Sequence, residues 1–174
     1  FIRGHSRKHT KSHIPNRISI DLRPQYINNR KQFGHWEVDT AVSRKSTASL
    51  CISTERKTRL MKISKLTRKG ARELSIALNR RLCHYPMYVR QTFTYDNGSE
   101  NVDHERVNKV LNARSFFCVP YHSWEKGAVE NSIGLIRRYL PKKTDFAKIP
   151  EKSVNTIEHR LNNRPRKCLN FNTP

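Results

Sequence analysis

The sequence predicts an α/β fold in which a mixed five-stranded sheet is flanked by helices, and three observations carry that expectation. Three short strand-like stretches follow one another with only polar connections, which suggests an antiparallel meander. A helical repeat then separates this meander from a fourth strand, and a crossover helix implies a mixed sheet. A further strand and a long helix close the pattern.

The first strand covers residues 33–42, the second 48–54 and the third 60–66, parted by Ser43-Arg44-Lys45-Ser46 and by the charged turn Glu55-Arg56-Lys57-Thr58. Ala71, Leu74, Ala77 and Leu78 recur at helical spacing through Arg81. Residues 89–95 return to a strand that ends at Asp96, and 103–111 read as a second helix. A fifth strand over 115–119 is stopped by Pro120, and a longer helix over 128–140 is stopped by Pro141. The order βββαβαβα is that of the ribonuclease-H-like fold.

At 174 residues the chain suffices for one domain, and its 35% hydrophobic content is low without being that of a disordered protein. Residues 1–30 read as a basic N-terminal arm or linker and 31–174 as the folded core. The arm carries Arg3, Arg7, Lys8, Lys11 and Arg17 with almost no apolar periodicity. His5, His9 and His13 recur in it every fourth residue, yet no acid or cysteine completes a ligand set, so a basic segment that orders on DNA is the preferred reading. The four cysteines form no Cys-x-x-Cys pair and read as reduced thiols. No apolar run spans a bilayer, and a soluble cytoplasmic, nucleoid-associated protein is expected.

Charge names the partner. Against 35 Lys and Arg stand only 14 Asp and Glu, a net +21 spread along the chain, which is the footprint of a polyanion ligand, naturally a nucleic acid. Charge does not name a reaction, and a protein that only neutralises phosphates stays open on this ground.

Three of the few acids stand where a reaction would need them. Asp39 and Asp96 fall at the ends of strands expected to be neighbours, and Glu130 follows Asp96 by 34 positions on the late helix. Val129, Ile133, Ile136 and Leu140 make that helix's apolar stripe, and Glu130 lies at its edge, where a carboxylate can look toward the sheet. Such a set suits two hard divalent cations, Mg²⁺ or Mn²⁺, that activate a nucleophile and stabilise a leaving oxygen. Each acid has a plainer reading: Asp96-Asn97-Gly98 is strong turn chemistry, Asp39 is a strand-end acid, and Glu130 is one partner of a helical ion pair. Their joint order and the fold favour the metal site.

Phe33-Gly34-His35-Trp36-Glu37-Val38-Asp39-Thr40, Thr54-Glu55-Arg56-Lys57-Thr58-Arg59, Tyr95-Asp96-Asn97-Gly98-Ser99-Glu100, Trp124-Glu125-Lys126-Gly127-Ala128-Val129-Glu130-Asn131 and Leu161-Asn162-Asn163-Arg164-Pro165-Arg166-Lys167 occur in that order. Together they resemble the DDE transposases of bacterial insertion sequences, nearest the insertion-sequence-thirty family, over roughly 17–174. The resemblance implies a retroviral-integrase-type catalytic core that hydrolyses a phosphodiester at an element's end and uses the freed 3′-OH to attack target DNA. It further implies Asp39, Asp96 and Glu130 as metal ligands and a homo-oligomer when active. Val38 departs from the glycine common there, and Glu125-Lys126-Gly127-Ala128 from the usual Gln-Arg-Gly-Thr; neither touches the acids. The family's helix-turn-helix region is missing from this sequence, which opens at Phe1 and leaves room for a preceding domain.

Trp124, Lys126, Arg137, Arg164, Arg166 and Lys167 are candidate DNA contacts, and Glu37 and Glu100 are spare or supporting acids beside the main set. Two other readings stay open: a structure-specific nuclease of the same fold, and a transposase-derived protein that binds DNA without cutting it.

Overall fold

A computed structural model describes residues 13–120 and 122–174. The first twelve residues, with His5 and His9, lie outside the described residues. After a 3-10 turn at Ile20–Leu22 come a short helix α1 (Gln25–Asn28), strands β1 (His35–Val42), β2 (Ser49–Glu55) and β3 (Met61–Leu66), and helix α2 (Ala71–Leu82). Strand β4 (Thr92–Tyr95), helix α3 (His104–Leu111), strand β5 (Arg114–Phe117) and helices α4 (Gly127–Ile136) and α5 (Glu151–Asn162) follow. The sheet runs β3-β2-β1-β4-β5, with the first three strands antiparallel and β4 and β5 parallel to β1. This is the mixed five-stranded arrangement expected, with β1 at its centre.

Alternation along β1 divides the sheet between two cores. Trp36 and Val38 pack with Leu74, Leu78, Phe93, Tyr95 and Val107 on the side of α2 and α3. Ala41 packs with Leu50, Ile52, Val129, Ile136 and Leu161 on the side of α4 and α5. Glu37 and Asp39 are spaced evenly from Ala41 and therefore belong to this second face, under the helix that carries Glu130.

Three differences from the sequence pattern have physical causes. Strand β4 starts at Thr92 because the residues after Pro86 close a 3-10 turn, with the Val89 N–H donating to the Pro86 carbonyl. Helix α5 was hidden because its buried stripe, Val154, Ile157, Glu158 and Leu161, contains a carboxylate. Glu158 is buried against the Arg81 guanidinium and accepts the Ile63 N–H at 2.7 Å, so it covers the outer edge of β3. Residues 13–30 also lie on the domain: Ile14, Ile20 and Ile27 are buried, and Ser19 bridges Phe117 beside edge strand β5. Those isoleucines stand six and seven residues apart, too sparse to make a periodic run. Among the described residues no helix is long and apolar enough to cross a membrane.

Candidate active site

Parallel pairing sets the first two acids side by side. His35 pairs with Thr92 and Glu37 with Thr94, and the same offset carried two residues on places Asp39 beside Asp96, one residue past β4. The Asp96 carboxylate is held by its own loop: Oδ1 accepts the Asn101 side-chain amide at 2.6 Å and the Gly98 N–H at 3.2 Å. Asp39 Oδ1 accepts the Thr40 N–H at 2.7 Å. The remaining oxygens face Lys126, whose Nζ stands 3.1 Å from Asp39 Oδ2 and 3.6 Å from Asp96 Oδ2.

Lys126 is 4% exposed and also donates to the Val38 carbonyl at 3.4 Å. Burial pulls its ammonium down, but Asp39 and Asp96 outweigh that and hold it above its ordinary value. An open pocket of about 480 Å³ is lined by these three residues with Cys118, His122 and Glu130. Glu130, in the first turn of α4, is exposed. The three sequence-selected acids thus share one pocket, with an ammonium between two of them. Among the described residues no three His, Cys, Asp or Glu side chains stand close enough to share one ion.

Glu37 has a role that its spacing did not reveal. It is fully buried, and Oε2 accepts the Ala128 N–H at 2.7 Å and the Val129 N–H at 3.0 Å. Helix α4 has no side-chain cap of its own, so this carboxylate satisfies amides that the local sequence leaves open, at the positive end of the helix dipole. Glu37 Oε1 lies 3.3 Å from Arg56 Nε. Arg56 is aimed inward by the next residue back: Glu55 accepts the Lys57 and Thr58 N–H groups at 2.9 and 2.6 Å and the Gly34 N–H at 3.2 Å. Gly34 has φ +94°, and a Cβ there would meet the Tyr88 carbonyl at 2.5 Å.

Arg23 reaches the same buried polar layer and donates to Thr94 Oγ1 at 2.9 Å. His35 beside it is pushed down to about 4 by burial, then by Arg56 and Arg23. Glu100 does not line the pocket; it accepts from Thr40 Oγ1 at 3.0 Å and pairs with Lys69 at 2.9 Å.

The other candidate contacts are spread out. Trp124 is 68% exposed and stacks on His122 at the pocket rim, with ring centroids 4.4 Å apart. Arg137 donates to the Val42 carbonyl at 3.3 Å and lies over Phe146. Arg164 and Lys167 are exposed beyond α5, and Arg166 donates to the Leu161 carbonyl at 2.9 Å. None of these last four lines the pocket. All four cysteines are free thiols, and burial pushes Cys51 and Cys118 up to about 12.

No protein-family model matches the chain. It is similar to the transposase for insertion sequence element IS4351 of Bacteroides fragilis, at 38% identity over 164 residues, 92% of this chain and 49% of that protein. It is also similar to the IS1086 transposase of Cupriavidus metallidurans, at 34% over 94% of this chain and 48% of the relative. Transposase InsI for IS30A of Escherichia coli gives 35% over 98% and 46%. The chain spans about half the length of these relatives. In structure it resembles the catalytic core domain of BIV integrase, with a TM-score of 0.62 at 18% identity over 80% of this chain and 90% of that one. It also resembles a chain of the simian T-cell lymphotropic virus intasome in complex with PP2A regulatory subunit B56 gamma, with a TM-score of 0.64 at 17% identity over 82% and 52%. These neighbours establish the fold as ribonuclease-H-like.

Proposed function

We propose that the chain is an insertion-sequence transposase catalytic core that cleaves and joins DNA through metal held by Asp39, Asp96 and Glu130; its likeness to about half the length of such transposases and its integrase-type fold support the reading. The observation that carries the reading is the cation already between the two aspartates: Lys126 Nζ lies within 3.6 Å of both carboxylates, in a pocket that Glu130 also lines. The donors are carboxylate oxygens, which fit hard ions such as Mg²⁺ or Mn²⁺. Such ions supply activation of the attacking water or 3′-hydroxyl and charge stabilisation at the leaving oxygen.

The protein's own part is placement. Asp39 is fixed by the central strand, Asp96 by its Asn101 and Gly98 bonds, and Glu130 by a helix whose first amides are held from β1 by Glu37. The net charge of +21 supports DNA as the partner, with Trp124, Lys126, Arg137, Arg164, Arg166 and Lys167 as candidate contacts. A second copy of the chain would supply the second reactive end. Hydrolysis and strand transfer then use one site, because only the nucleophile changes.

The test is a joining assay with pre-cut ends, supercoiled target and Mg²⁺ or Mn²⁺. Strand transfer that disappears in Asp39→Asn, Asp96→Asn and Glu130→Gln supports the reading. Cleavage without joining favours the nuclease alternative, and full activity in all three variants overturns the assignment.

A further inference from the structure

We propose that Lys126 is a built-in counter-cation of this site: its ammonium holds Asp39 and Asp96 together until a divalent metal takes its place, and the displaced side chain then meets the DNA phosphate. This rests on the reading of Asp39 and Asp96 as metal ligands.

The acceptors around Nζ are two carboxylate oxygens and one backbone carbonyl, at 3.1, 3.6 and 3.4 Å. Oxygens of this kind are also what a hard divalent cation takes, so ammonium and metal compete for one set of donors. They cannot share it, because like charges a few ångströms apart in a partly buried site repel strongly. The ammonium also answers a need of the fold, since the parallel register sets two carboxylates side by side on adjacent strands, and among the described residues Lys126 is the one cationic group paired with either. Without Lys126 the pair would face each other unscreened.

Lysine suits a removable ion. Its compact ammonium sits on a flexible stem with four rotatable carbons and is not locked into a bidentate fork. The residue is the last before α4, and the helix itself is held by the Glu37 contacts to Ala128 and Val129. Lys126 can therefore leave without moving Glu130. The way out is the open pocket that it lines with His122 and Glu130. A phosphate brought there accepts the displaced ammonium, so metal and DNA tighten each other's binding, as linkage requires.

The experiment measures Mn²⁺ affinity of the 174-residue chain by electron paramagnetic resonance, with and without a DNA duplex, beside Lys126→Met and Lys126→Gln. Both variants should bind Mn²⁺ about tenfold more tightly without DNA, in the usual range for coupling between two sites. They should also gain more thermal stability on adding Mn²⁺ than the parent. DNA should tighten Mn²⁺ binding to the parent and do so much less in the variants. Asp39→Asn and Asp96→Asn separate the two layers of the argument. If these bind Mn²⁺ like the parent, the metal assignment itself fails. If they lose the ion while both Lys126 variants bind it no tighter than the parent, the counter-cation proposal alone is overturned.

Discussion

The Glu37 carboxylate accepts the Ala128 and Val129 amide protons, at 2.7 and 3.0 Å. A strand residue two before Asp39 thereby grips a helix immediately before Glu130. The distance between the first and third acids is set through one buried carboxylate, which is itself paired with Arg56 at 3.3 Å. Glu37→Ala leaves Arg56 buried and unpaired and two helix amides open. Loss of one partner of a buried pair is expected to destabilise by about 3 kcal/mol or more. Glu37→Gln keeps one acceptor oxygen and should be milder. Urea denaturation measures both, and a Glu37→Ala loss below about 1 kcal/mol would show that the contact does not hold the helix.

Removal of charge from the three acids should separate binding from chemistry. Asp39→Asn, Asp96→Asn and Glu130→Gln retain size and fold, so salt-sensitive DNA binding should persist while cleavage and joining fall by orders of magnitude. Chelation of divalent ions should reproduce that loss in the parent. Glu100→Gln is the control, because Glu100 is engaged with Thr40 and Lys69 and does not line the pocket. If the Glu100 variant lost joining and the Glu130 variant kept it, the third ligand would be misassigned.

DNA affinity should fall steeply with salt and vary little with sequence, since phosphate contacts by Lys and Arg release counterions. Residues 13–30 cannot be removed cleanly to test the basic arm, because Ile14, Ile20 and Ile27 are part of the packed domain. Deletion of residues 1–12 is the informative truncation. It should flatten the slope of log affinity against log salt; an unchanged slope would show that this stretch makes no phosphate contact.

The strands were legible because side-chain alternation is local, and parallel pairing of β1 with β4 follows once a crossover helix separates them. The juxtaposition of Asp39 and Asp96 is a consequence of that register. Lys126 was legible as a cation near Glu130 but not as a partner of Asp39, since its place depends on the backbone turn before α4 and on how α4 sits across the sheet. Glu37 was hidden for a similar reason: its partners are backbone amides 91 and 92 residues away, and backbone amides carry no residue signature. Arg56 and Glu55 stood out as a motif, yet only the folded turn shows that Glu55 closes the loop and sends Arg56 inward.

His35 should make the domain sensitive to mild acid. Its Nδ1 pairs with Thr92 Oγ1 at 2.8 Å and its ring meets Tyr26, while Arg56 and Arg23 face the same layer. Burial, then those two guanidinium groups, push it from its ordinary 6.5 down to about 4. Between these values the unfolded chain holds a proton that the folded chain does not, so stability rises with pH across the window and is lost as pH falls from about 6.5 toward 4. The full span corresponds to on the order of 3 kcal/mol. Replacement by glutamine, His35→Gln, removes the titration while leaving a polar group near Thr92. Urea midpoints of the parent should drop between about pH 7 and 4.5 more steeply than those of the variant. Parallel curves would show that His35 takes its proton in the folded state as readily as in the unfolded one, and that the two arginines do not set its charge.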